Sequence, residues 1–227
     1  MKLCTVCGSA SFQAADVLWP ELIAQWQLVP DEVAYINRQQ GLTCTNCNCN
    51  LRSMALASAI TSWIDKRTSF REVLESGALN HFKILEINSA GSLSAEFRGL
   101  PGHRLVEYPD FDMHNLKIES GQFNLVIHSD TLEHLARPVA ALAECHRVLA
   151  DDGACIFTAP IVPARMTRSR EGLEPSFHGS VNASQTDLMV HWEFGADLWV
   201  KVIQAGFRQC CIHSIEYPGG LAITASK

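Results

Sequence analysis

Two strand-and-turn units constrain the fold of this chain more than any other feature. They are His81-Phe-Lys-Ile-Leu-Glu-Ile-Asn-Ser-Ala-Gly-Ser92 and Phe123-Asn-Leu-Val-Ile-His-Ser-Asp-Thr-Leu-Glu-His-Leu135. Each opens with a continuous apolar run, the signature of a strand buried on both faces. The first run contains an acidic residue at its end and enters a small-residue turn. The second passes through a polar turn toward a helix. Two such strand ends, about 40 residues apart, are what an open parallel α/β sheet needs to hold a nucleotide-like ligand at its carboxyl edge.

The chain has 227 residues, enough for one domain with an appendage. With 47% apolar and 19% charged residues it can bury a substantial core. Its formal net charge of −6 argues against a broad electrostatic grip on nucleic acid, which relies on clustered Lys and Arg. Arg165, Arg168 and Arg170 lie close together; they offer a local basic patch, but a solvated loop is the preferred reading. No signal-peptide pattern and no apolar run of membrane-spanning length is present, so no membrane association and a cytoplasmic location are expected. The sequence leaves the oligomeric state open.

In a reducing compartment nine cysteines do not suggest a disulfide framework; paired ones suggest metal. Cys4-Thr-Val-Cys7 and Cys44-Thr-Asn-Cys47 are both C-x-x-C turns. That spacing lets two thiolates face one ion, and four thiolates make a closed structural zinc site with no open position for a substrate. Cys49 leaves the second pair ambiguous, and Cys44 with Cys47 is preferred because that spacing repeats. A redox dithiol, or two unrelated buried cysteine pairs, is the competing reading. Between the knuckles, Pro20 and Pro30, each followed by acid, mark helix starts, and Gly41 suits a helix end. The segment 51–64 reads as a helix with Leu56, Ile60, Trp63 and Ile64 on one face, joining the knuckles to the main domain.

From His81 onward strands and helices alternate, as in a mostly parallel sheet. Strands are expected at 82–87, 104–107, 123–128 and 154–159, with a very short one near 113–116. Helices are expected at 93–98, 138–149 and 197–205. Asp151-Asp152-Gly153 reads as a turn. Residues 161–185 form a long irregular excursion of the kind that makes lids. Residues 210–216 and 221–225 look like a terminal antiparallel pair.

These motifs resemble the class I S-adenosylmethionine-dependent methyltransferases of the type 11 branch. Ile84-Leu-Glu-Ile87 is similar to the family's first motif strand. Gln122-Phe-Asn-Leu-Val-Ile-His-Ser-Asp-Thr-Leu-Glu-His134 is similar to its fourth strand and the Leu-Glu-His signature. Arg147-Val-Leu-Ala-Asp-Asp-Gly-Ala154 and Ala205-Gly206-Phe207 resemble the turn before strand five and the close of the last helix. Each is weak alone, but their order and spacing are specific. The family's Gly-x-Gly-x-Gly is altered here: Asn88, Ala90 and Ser92 stand at its positions, with Gly91 out of phase.

The resemblance implies an α/β fold with a doubly wound, mostly parallel seven-stranded Rossmann-like sheet. A terminal antiparallel hairpin and a small N-terminal zinc module would complete it. The expected divisions are a Cys4 module with helical insert at 1–50, connecting helices at 51–80, and a methyltransferase domain at 81–227 with a lid-like insertion at about 161–195. The implied cofactor is S-adenosylmethionine. Glu86 would order the loop and meet the methionine amino group, and Asn88, Ser89 and Gly91 would form the turn. Glu107 would accept from the ribose, Asp112 would bond the adenine amino group beside Met113, and His128 and Ser129 would lie beneath the methionine portion. His134 and His178 are candidates for a catalytic base toward the acceptor.

The expected activity is methyl transfer to a small-molecule acceptor, with a carbohydrate or related metabolite as one candidate class. Two alternatives stand beside it. The altered glycines would suit a binding or scaffold protein that kept the fold and lost the cofactor. A zinc-containing RNA methyltransferase would explain the knuckles, but the acidic charge counts against it.

Overall fold

The computed structural model describes residues 3–177, 186–217 and 219–227. Its N-terminal third is assembled from short elements with local stop and start signals. β1 (Phe12–Gln13) is followed by α1 (Pro20–Gln25) and α2 (Pro30–Gly41), each with proline in its first turn, where no backbone donor is needed. Glu32 accepts a hydrogen bond from the Val29 N–H at 3.0 Å, closing the start of α2. β2 (Thr43–Cys44) pairs antiparallel with β1.

Next come α3 (Leu51–Trp63), whose N-cap Asn50 accepts from Ser53 N–H at 3.0 Å, and α4 (Phe70–Glu75), started by a Ser69/Glu72 capping box. The expected one-faced α3 is in fact buried almost all round. One side lies on the main sheet and another meets α2 and α4. Its alanines and Gly220 allow that approach: a Cβ on Gly220 would sit 2.5 Å from the Leu51 carbonyl oxygen and 2.9 Å from Ala55 Cβ.

The main sheet begins with β3 (Ile84–Ile87), buried at every position. A short crossover containing α5 (Ser94–Phe97) leads to β4 (His103–Val106). β5 (Phe123–Ser129), α6 (Pro138–Val148) and β6 (Leu149–Thr158) follow. The excursion contributes β7 (Ile161–Val162), β8 (Arg168–Ser169) and β9 (Trp192–Gly195). Then α7 (Leu198–Gln204), β10 (Gln209–Ile215) and β11 (Gly220–Ser226) close the chain. The strand order is β10-β11-β6-β5-β3-β4, with β4, β3, β5 and β6 parallel, β11 antiparallel to β6, and β10 antiparallel to β11. The α6 and α7 side buries one apolar cluster, and α3, α4 and α5 bury the other. The chain leaves β3 toward β4 and returns to β5, so the connection reverses between β3 and β5. The carboxyl ends of those two strands flank the crevice where open α/β sheets bind ligands.

Several expectations need correction. The sheet has six strands among the described residues, not seven. Residues 113–116 do not pair with β4; the Leu116 backbone groups are taken by α6 side chains instead. Glu144 accepts from Leu116 N–H at 2.8 Å, and Arg147 donates to the Leu116 and Ile118 carbonyls at 2.9 and 2.8 Å. Asp151-Asp152-Gly153 lies inside β6, as extra chain bulging between the Phe123–Leu149 and Leu125–Ala154 pairs. The excursion carries its own small sheet, β7-β9-β8. Nor is the arginine cluster merely solvated. Arg168 and the buried Arg170 both pair with Glu193, while Arg165 pairs with Glu32 and donates to the Trp26 and Gln27 carbonyls at 2.9 and 2.8 Å. These bonds tie the excursion to α1 and α2.

Candidate functional site

At the exit of β3, Glu86 is fully buried. Its Oε1 accepts from Ala90 N–H at 2.8 Å and its Oε2 lies 2.7 Å from His103 Nε2, so the carboxylate ties down the turn after β3. Asn88 sits at φ 54°, a region Asn tolerates, and its Oδ1 accepts from Tyr108 N–H at 3.1 Å. The loops after β3 and β4 are thus joined. Ser89 and Gly91 are exposed at the tip, and a Cβ on Gly91 would meet nothing within 4 Å. Glu107 and Asp112 are also exposed on this rim. Asp112 accepts from His114 N–H and lies 2.8 Å from its Nδ1, and those contacts hold its carboxyl below the usual range.

Two residues expected at the ligand face are core residues instead. Met113 packs in the α6 and α7 cluster beside Leu85 and Val126. His128 is fully buried, stacked on Phe157 with ring centroids 4.6 Å apart and with neither ring nitrogen hydrogen-bonded. Desolvation pushes its pKa down to about 3, so the ring is neutral. Strand parity explains it: Val126 and His128 share a face of β5, and that face is covered by α6. Ser129 is buried with its Oγ 2.8 Å from Thr158 Oγ1. His178 lies outside the described residues.

One strand further along the edge is a polar network that the sequence did not expose. Asp130, at φ 45°, leaves β5 and pairs with Arg52 of α3. Gln40 of α2 donates to Asp130 Oδ2 at 3.3 Å and accepts from Arg52 Nη1 at 2.8 Å. Arg52 is the single charged residue of α3, and that isolation in an apolar helix was the available signal. Burial lowers its pKa to about 10, which still leaves it charged at neutral pH.

Beside this network opens a cavity of about 540 Å³. Leu18, Trp19, Leu22, Trp26 and Ile36 supply one wall from the α1–α2 arch. Ile161, Val162 and Leu188 supply the other. Gln39, Gln40, Arg52, Asp130 and His134 form its polar end. His134 is therefore brought to the cavity, whereas Glu86, Asn88, Ser89, Gly91, Glu107, Asp112 and Met113 do not line it. His134 Nδ1 is 3.1 Å from the Met189 carbonyl oxygen, and desolvation lowers its pKa, so it is neutral at pH 7. With Nδ1–H donating to Met189, Nε2 is the basic nitrogen. It lies 3.6 Å from Glu133 Oε1. Glu133 is fully buried, and desolvation raises its carboxyl to about 7.

On the far side of α3, the four thiols of Cys4, Cys7, Cys44 and Cys47 converge, all within 4.8 Å of one another. The Cys4–Cys47 and Cys7–Cys44 sulfurs are 3.7 and 3.6 Å apart. A tetrahedral ion with sulfur bonds of about 2.3 Å requires sulfur–sulfur edges of about 3.8 Å, so the cluster fits Zn²⁺. Cys49 is buried outside this group.

Residues 72–157 match the family model described as a methyltransferase domain. This stretch runs from α4 through β6 and holds the crevice strands β3 and β5. Some solved structures are similar at low identity. A SAM-dependent methyltransferase from Thermotoga maritima shares 15% identity, with 69% of this chain and 86% of that one covered and a TM-score of 0.43. An S-adenosylmethionine-dependent methyltransferase from Mesorhizobium loti shares 12%, covering 66% and 92%, with a TM-score of 0.42. A structure titled PigF with SAH shares 17%, covering 68% and 53%, with a TM-score of 0.41. No curated protein matches the chain. No helix among the described residues is long and apolar enough to cross a membrane.

Proposed function

We propose that this chain is an S-adenosylmethionine-dependent methyltransferase acting on a small molecule, organised as a 1–50 module, connecting helices at 51–80 and a catalytic domain at 81–227. The observation that carries this reading is the β3/β5 crevice, inside the stretch matching the methyltransferase family, beside a cavity able to hold an acceptor. The rim fits the cofactor. The loop tip at Ser89 and Gly91 is open, and the Glu107 and Asp112 carboxylates face solvent, where they could meet hydroxyl and amino groups. Glu86 acts through the loop, since both its oxygens are engaged within the protein.

When bound, the sulfonium cofactor supplies an activated methyl group with a good thioether leaving group. The protein's part is alignment and exclusion of water. His134, neutral with Nε2 basic, takes the proton of an acceptor hydroxyl or amine. The Arg52–Asp130–Gln40 network holds the floor against which the acceptor is placed. The thiol cluster takes structural Zn²⁺, which suits a reducing, cytoplasmic setting.

Calorimetric titration with S-adenosylmethionine and with S-adenosylhomocysteine tests the reading. Micromolar binding of both is expected. Absence of heat and of any thermal shift at millimolar ligand overturns it and favours a scaffold that kept the fold. Ala90, buried where the family has glycine, is the feature on which that alternative rests.

A further inference from the structure

We infer that the acceptor is a predominantly apolar molecule, aromatic or alkyl, with a single hydrogen-bonding head group, and that it is not a sugar; this rests on reading the 540 Å³ cavity as the acceptor site. The walls carry the argument. Trp19, Leu22 and Trp26 face Ile161 and Val162 across the cavity, and none of these side chains can satisfy a hydroxyl in the ring of a polyol except through an indole N–H. The Trp26 indole N–H is already given to Ser176 Oγ at 2.8 Å.

The polar end is equally selective. Gln40 bonds Asp130, Asn50 and Arg52, and Gln39 bonds Tyr35 and the Gly219 carbonyl at 2.9 and 3.4 Å. Arg52 is engaged with Asp130 and Gln40. Most of these groups are taken by one another; the buried Arg52 Nε is the donor left without a partner among the described residues, so the polar end has room for one head group and little capacity for the many donors and acceptors of a carbohydrate. A desolvated polyol in this cavity would keep most of its hydroxyls unpaired, which is costly. An apolar body is rewarded by the same walls. One head group has a place, beside His134 and Asp130. The arch that makes the apolar wall is anchored, because Arg165 grips Glu32 and the Trp26 and Gln27 carbonyls.

The test uses 1-anilinonaphthalene-8-sulfonate as a fluorescent probe on the full chain, with competition by 1-naphthol, decanoate, glucose and UDP-glucose. The expected result is saturable probe binding displaced by naphthol or decanoate at sub-millimolar concentration and by neither sugar compound at 10 mM. Leu22→Arg, which places a charge on the apolar wall, and Val17→Trp, which narrows the rim from an exposed position, are each expected to weaken the probe at least tenfold. Circular dichroism checks that both variants fold, and the competition on the unaltered chain stands without them. Failure of the probe to bind, displacement by either sugar, or wild-type affinity in both folded variants overturns the inference. Displacement by naphthol or decanoate with a silent S-adenosylmethionine titration would retain the apolar pocket and remove the methyl-transfer reading.

Discussion

Arg52 near the start of α3 pairs with Asp130 at the exit of β5, joining the N-terminal segment to the carboxyl edge of the sheet through one charge-assisted contact. Both side chains are mostly shielded, at 16% and 15% exposure. Removing one partner strands the other charge in a poorly solvated place. Asp130→Ala is therefore expected to cost about 2–4 kcal/mol in urea unfolding. The double replacement Arg52→Met with Asp130→Leu should recover part of that loss. A double variant less stable than Asp130→Ala would contradict the pairing argument.

The thiol cluster predicts one zinc per chain by elemental analysis. Cys44→Ser should abolish stoichiometric zinc and lower the melting temperature, because metal binding is coupled to folding. Cys49→Ser should leave the zinc in place, since Cys49 stands outside the converging four. Loss of zinc in the Cys49 variant alone would reassign the ligand set.

His128 predicts a specific acid sensitivity. Its folded pKa of about 3 lies below the ordinary 6.5. Between those values the unfolded chain binds the extra proton, so stability rises with pH through this window and is lost on acidification. At pH 5 the loss relative to pH 7 is about 2 kcal/mol. His128→Phe keeps a ring against Phe157, so it should flatten the stability profile between pH 4 and 6.5. An unchanged slope in denaturant titrations would show that other groups set it.

Glu133 acts with the opposite sign. Its carboxyl is raised to about 7 from an ordinary 4.5, so the folded chain holds the proton longer than the unfolded one. Stability from this group falls as pH rises from about 4.5 to 7. Glu133→Gln should make the chain relatively more stable at pH 8 than at pH 5, compared with wild type. Parallel wild-type and variant profiles would refute this.

Arg147 substitutes for a missing strand by holding the Leu116 and Ile118 carbonyls. Arg147→Met should cost about 1–2 kcal/mol, discounted for its partial exposure. Amide exchange at Ile118, whose N–H donates to the Leu116 carbonyl, should accelerate more than exchange in β5. Equal acceleration would mean that the whole sheet had loosened.

Much of this arrangement was legible in the chain. β3 and β5 announce themselves as uninterrupted apolar runs, Pro138 starts α6, and the C-x-x-C pairs do converge. What was illegible depends on distant partners. The cavity joins Trp26 to the segment after β6, more than a hundred residues away, and no local pattern encodes that meeting. The strand expected at 113–116 is not formed among the described residues, and the Leu116 backbone groups are held instead by Glu144 and Arg147 of α6, contacts that no local pattern at 113–116 encodes. The inward turn of His128 was available from alternation along β5, but its place at a strand end suggested the rim.

Helix α3 lies against β11, so an early part of the chain is covered by a strand that is made much later. During synthesis Leu51 and Ala55 must wait, greasy and uncovered, until β11 has emerged. Clipping the β10–β11 hairpin would therefore do more than trim an edge: it would bare one side of α3, the helix that follows the thiol knuckles, and invite clumping.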